Sequence, residues 1–139
     1  MSLMPKRTKY RKQHRGRLTG MATRGNTVSF GDFGLQSLDW GWITGRQLEA
    51  ARVAANRASG GQAKVYIRVF PHKSVSGKPA ETRMGGGKGD VEYWTACVKP
   101  GTVLFEIGGV GEDKAKLAFK RAAHKVPIKV KMIRRLPST

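Results

Sequence analysis

Carboxylates are scarce in this chain. Nine Asp and Glu stand against 27 Lys and Arg among 139 residues, a formal net charge of +18. That is about one net positive charge for every eight residues, far more than solubility requires. So few acids, scattered singly, offer no carboxylate pair for general acid and base catalysis. Cysteine is rarer still. The lone Cys97 excludes a disulfide framework and any Cys-based zinc site, and its neighbours Trp94, Ala96 and Val98 predict a buried strand thiol. The longest apolar runs are a few residues, too short for a transmembrane helix. No charged-then-apolar leader opens the sequence, so a cytoplasmic, reducing compartment is expected. His14, His72 and His124 lie far apart and lack metal-ligand spacing. No cofactor, metal, membrane contact or homo-oligomer is expected.

What is present in excess is positive charge, and it is uneven. A surface that repels itself this strongly is most stable against a polyanion, so nucleic acid is the default partner. Residues 1–31 hold Lys6, Arg7, Lys9, Arg11, Lys12, Arg15, Arg17 and Arg24 and no carboxylate before Asp32. The segment has no helical or strand period, and alone it lacks the apolar surface to offset its ordering entropy. Tyr10 and His14 are placed to stack on unpaired nucleotides. A solvated tail, a nuclear localisation patch or a transit peptide are the competing readings. The domain reading is a basic extension over 1–27, one α+β domain over 28–135, and a frayed tail over 136–139.

Within the domain, residues 28–42 are aromatic and glycine-rich and predict short strands and tight turns that open the core. Thr44 followed by Gln47 predicts a capping box, with Ile43 and Leu48 at hydrophobic-staple spacing. Leu48, Ala51, Ala55 and Ala58 form the packing face of that helix, and Gly60-Gly61 end it. Residues 64–70 alternate as a strand. Residues 92–98 and 102–107 predict two more, joined as a hairpin by Lys99-Pro100-Gly101. A second helix spans 112–124, with acids at its start and bases at its end. Its packing face is Ala115, Ala118, Phe119, Ala122 and Ala123, and His124 is expected to play a structural or dipole role at its end. A last strand runs from Val126 to Met132, with a basic open face. Trp94 and Tyr93 read as core before they read as a stacking platform. The architecture expected is α+β, two helices on one mixed, mainly antiparallel sheet.

Residues 71–90 break the pattern: PHKSVSGKPAETRMGGGKGD has no period. Structureless stretches of this length are usually functional or disordered. Its glycines allow close approach to another surface, and Lys73, Lys78, Arg83 and Lys88 suit phosphates. An RNA-inserted finger is preferred over a mobile solvent loop. Gly87-Lys88 resembles a phosphate-binding loop, but that motif needs glycine where Thr82 stands and Ser or Thr where Gly89 stands. Nothing pairs a nucleophile with a base, and no enzyme is expected.

The residues also resemble a known family, the bacterial large-subunit ribosomal protein sixteen. The similarity lies in MPKRTKYRKQHRGR (4–17), FGDFGL (30–35), WITGRQLEAAR (42–52), IRVFP (67–71) and KPAETRMG (78–85). Lys88-Gly89, EYW (92–94), KPG (99–101), LFE (104–106) and AAHKVPIK (122–129) continue it in order. The resemblance implies a hammerhead-type α+β fold and binding to 23S-type ribosomal RNA. It also implies a part in late assembly of the large subunit, neighbouring ribosomal proteins as partners, and contact near the peptidyl transferase centre with aminoacyl-site transfer RNA, with peptidyl-site transfer RNA as a further candidate partner. A cytoplasmic ribosome is expected ahead of an organelle one. Carried over by motif, Lys6 to Arg24 would run through ribosomal RNA. Arg46, Arg52, Lys129 and Lys131 are further candidate RNA contacts. Lys78, Arg83, Met84, Gly85 and Lys88 form the loop that would face transfer RNA, with Arg83 a candidate for hydroxylation. The family usually has alanine at Gly45, so glycine there is expected to weaken the first helix by up to about 1 kcal/mol. Two other classes compete: a free basic nucleic-acid chaperone, which would bind RNA and DNA alike, and a small RNA-acting enzyme dependent on His72 or His124.

Overall fold

The structure, a computed structural model, describes residues 20–22, 25–77 and 90–135. Among them the chain forms β1 (Phe33–Ser37), β2 (Gly41–Thr44), α1 (Gly45–Ala58), β3 (Lys64–Ile67), β4 (Lys73–Gly77), β5 (Asp90–Val98), β6 (Val103–Gly108), α2 (Glu112–Ala123) and β7 (Val130–Arg134). The α+β class expected from the sequence holds. The strands, however, divide into two sheets, β3-β6-β1-β7 and β2-β5-β4, and every described pairing is antiparallel.

The turn at residues 99–102 explains the division. Thr102 N–H donates to Lys99 O at 3.1 Å and Gly101 has φ of +98°. With Pro100 fixing the first central φ, this is a turn of the type II kind, whose twist splays the strands it joins. The hairpin expected here does not form. β5 pairs with β2 and β4, while both edges of β6 are taken by β1 and β3. Residues 99–102 carry the chain from one sheet to the other.

Two further boundaries differ from expectation. Part of the segment read as a loop over 71–90 is strand β4, which pairs with β5. KSVSG has a single large apolar residue, so a partner strand and not local alternation defines it. The final ladder begins at Val130, not at Val126. Pro127 has no N–H to donate, and only Lys129 O, accepting from Leu38 N–H at 2.8 Å, extends the pairing backward.

Helix α1 starts as its sequence dictates. Gln47 N–H donates to Thr44 Oγ1 at 3.1 Å, and Thr44 N–H donates to Gln47 Oε1 at 2.9 Å. Gly45 is the first helical residue, where its N–H has no intrahelical acceptor in any case. Its cost is therefore below that of an interior glycine. Gly60 and Gly61 take φ of +77° and +76° just past the end, as a helix stop requires. Leu48, Ala51 and Ala55 of α1 and Ala115, Ala118, Phe119 and Ala122 of α2 are buried with Leu35, Phe105 and Ile107 in one core. Their small side chains let the helices lie side by side over the four-stranded sheet.

The opposite face of that sheet is crossed by residues 25–32. Val103 N–H donates to Gly25 O at 2.8 Å, and Asp32 N–H to Ile107 O at 2.9 Å. Gly34 makes the crossing possible, since a Cβ there would lie 2.7 Å from Val28 Cγ2. Beneath the strap sits Glu106, fully buried in β6. Its Oε1 accepts the N–H groups of Ser29, Phe30 and Gly31 at 2.8, 2.7 and 2.9 Å. Its Oε2 is paired with Arg68. Burial pushes the carboxyl pKa up, but Gly31, Arg68, Phe30 and Ser29 together outweigh it and hold it below the ordinary value.

Candidate nucleic-acid interface

The outer surface of the helix pair is a basic groove. Along α1, Arg46, Ala50, Val53, Ala54 and Arg57 recur at helical spacing on one stripe. Along α2 and its end, Leu117, Arg121, His124 and Lys125 do the same. Ala54, Arg57 and Lys125 border both halves, so the depression is continuous between the helices. Small residues make the floor, and cations make the walls. Arg57 and Arg121 lie in the last turns of their helices, where the carbonyl ends favour positive charge. None of Arg46, Arg57, Arg121 and Lys125 is in an ion pair with a described residue. Glu49, the one carboxylate on the rim, is occupied by Arg52. The Arg52 hydrogen bond holds the Glu49 carboxyl below its usual value, against burial. Such a surface leaves its charge for an outside anion.

Of the candidates named from the sequence, Arg46 stands in this groove. Arg52 is turned to Glu49, with 2.5 Å between Nη2 and Oε1. Lys129 and Lys131 are exposed on the β7 side, where Lys131 borders a smaller depression with Lys116 and Lys120. Lys6, Arg7, Lys9, Arg11, Lys12, Arg15, Arg17 and Arg24 lie outside the described residues, as do Lys78, Arg83, Met84, Gly85 and Lys88. Arg57, Arg121 and Lys125 were not singled out from the sequence. Their signal was the helical stripe, which becomes a groove only once the helices are known to be neighbours.

The remaining candidates fall into place. His124 is the C-cap of α2 and is exposed. His72 is exposed, with Nδ1 3.2 Å from Phe70 O. Trp94 is core, whereas Tyr93 is 44% exposed. Cys97 is half-buried in β5, and burial pushes its thiol pKa up against the opposing effects of Lys73 and Trp42. Such a thiol is a poor nucleophile at neutral pH. Among the described residues no cluster of three or more His, Cys, Asp or Glu is placed to hold a metal. No described helix is long and apolar enough to cross a membrane.

Comparison with known proteins gives this surface its context. The family model for ribosomal protein L16p/L10e matches residues 5–133. The chain belongs to that family. A relative from Rhodopirellula baltica, the large ribosomal subunit protein uL16, is 58% identical over 135 residues, covering 97% of this chain and 98% of the relative. The family is one of ribosomal proteins, structural components and not known enzymes.

Proposed function

We propose that the protein grips 23S-type ribosomal RNA through its phosphates and acts by positioning, without chemistry of its own. It is a structural constituent of the large ribosomal subunit, supported by its family and by the 58% identical large-subunit relative. The observation that carries the RNA reading is the groove of Arg46, Arg57, Arg121 and Lys125, none of them in an ion pair with a described residue, on two packed helices. Arginine and lysine at fixed spacing neutralise neighbouring phosphates and release their counterions. Because packed helices set the spacing, little ordering entropy remains to oppose binding. The basic extension from Lys6 to Arg24 adds further phosphate contacts and staples RNA helices during late assembly. Neighbouring large-subunit proteins complete its surroundings.

Lys78, Arg83, Met84, Gly85 and Lys88 stand in the sequence between β4 and β5. In this reading they brace aminoacyl-site transfer RNA near the peptidyl transferase centre, and Arg83 is the modifiable tip.

Density-gradient sedimentation of a lysate at moderate and then high salt, followed by mass spectrometry, tests the proposal. The protein should travel with the large subunit at moderate salt. Recovery mainly in free fractions, with equal affinity for RNA and DNA, would favour the chaperone reading instead. A chain lacking residues 1–24 should fail to enter subunits stably. Arg83→Ala should enter them and slow translation.

A further inference from the structure

We propose that Phe30 is a stacking platform for one unpaired nucleobase of RNA, a site that rests on the RNA-binding reading above. Phe30 is 64% exposed, an unfavourable position for a phenyl ring without a partner. It is nevertheless held in place. Its own N–H and those of Ser29 and Gly31 all end on the buried Glu106 carboxylate. A Cβ at Gly31 would lie 2.6 Å from Ile107 O, so the loop is seated directly on β6. Arg68, itself fixed by Glu106, has its guanidinium carbon 5.0 Å from the Phe30 ring centroid. The Tyr66 ring lies 5.9 Å away, tilted by 34°. Tyr66 and Arg68 are two residues apart along one strand direction, so both support the ring from the sheet side. At 64% exposure, most of Phe30 is left to solvent.

The surroundings favour a base over an apolar peptide. A protein-docking surface needs contiguous apolar area of several hundred Å² or so. Phe30 is instead flanked in sequence by exposed Ser29 and Asp32, and its ring neighbours are half-buried Tyr66 and Arg68. A nucleobase needs only one flat face and keeps its polar edges hydrated. A cation for a flanking phosphate is close by, since the backbone N–H of exposed Arg135 donates to Asp32 O at 2.9 Å. Because Glu106 and Arg68 already fix the ring, stacking costs little further order.

The test is base-reactivity probing of large subunits reconstituted with the full chain or its variants. Wild type and Phe30→Tyr should protect the same one or two unpaired nucleotides. Phe30→Ala should expose them and bind a ribosomal RNA fragment about ten-fold more weakly, the order expected for one stacked base. Phe30→Leu, which keeps apolar contact and loses the flat face, should behave like Phe30→Ala. Urea midpoints should be unchanged, since the ring is mostly exposed. Unchanged protections in Phe30→Ala or Phe30→Leu would overturn the platform and leave the RNA reading standing. No RNA footprint from the wild type would overturn both.

Discussion

Two charged regions of this molecule use arginine in opposite ways. Under the strap, Arg68 meets a fully buried carboxylate that also takes three backbone N–H groups, so the charge is closed inside the protein. On the helix pair, Arg46, Arg57, Arg121 and Lys125 have no ion-pair partner among the described residues. With nine carboxylates against 27 cations, most positive charge cannot be answered internally. Where one acid is committed to the interior, it fixes backbone. Where acids are withheld, a surface is left for an anionic partner. The first arrangement should govern stability and the second binding, and substitutions can separate them.

Glu106→Ala should show the largest effect on folding. Removing one member of a buried pair leaves Arg68 and three N–H groups unanswered, a loss of about 3–5 kcal/mol in urea denaturation. Its pH dependence has a definite sign. The folded carboxyl titrates below the ordinary 4.5, so its contribution is complete at neutral pH and is lost as pH falls through the folded value. In Glu106→Gln, the decline of stability below about pH 4.5 should be shallower than in the wild type.

Gly34→Ala comes next. The new methyl meets Val28 Cγ2 at 2.7 Å and Val103 Cγ1 at 3.2 Å, so the strap must shift, at about 1–3 kcal/mol. Faster amide exchange at residues 28–31 would report the shift directly. Thr44→Ala removes one half of the capping box and should lower stability by about 1 kcal/mol, read from the urea midpoint. Smallest on the folding side is Arg121→Ala, within about 0.5 kcal/mol of wild type. On the RNA side its effect reverses in rank. Affinity should fall at all sequences tested, and the salt slope should decrease by about one.

Local signals in the sequence were enough for the helices. Thr44 with Gln47, the Leu48-Ala51-Ala55 face and Gly60-Gly61 each act within a few residues, and each is found where expected. Long-range decisions were not legible. Lys99-Pro100-Gly101 marked a turn, but only its left-handed Gly101 and the strands already flanking β6 reveal that it changes sheet. β4 has too little apolar patterning to declare itself without β5 beside it. Glu106 read as one of several scattered acids, because the amides it collects come from residues more than 70 positions away. The same holds for the groove. Arg46 was named as a candidate RNA contact from the sequence, whereas Arg57, Arg121 and Lys125 join it only through the packing of α1 on α2.

The most direct test of the division between closed and open charge is the salt dependence of ribosomal RNA binding. Wild type would be compared with a variant carrying Arg46→Ala, Arg57→Ala, Arg121→Ala and Lys125→Ala, with urea denaturation of both proteins alongside. The account predicts that the slope of log affinity against log salt drops by about three to four, with the urea midpoint essentially unchanged. An unchanged slope would contradict it, since the groove cations would then have met no phosphate.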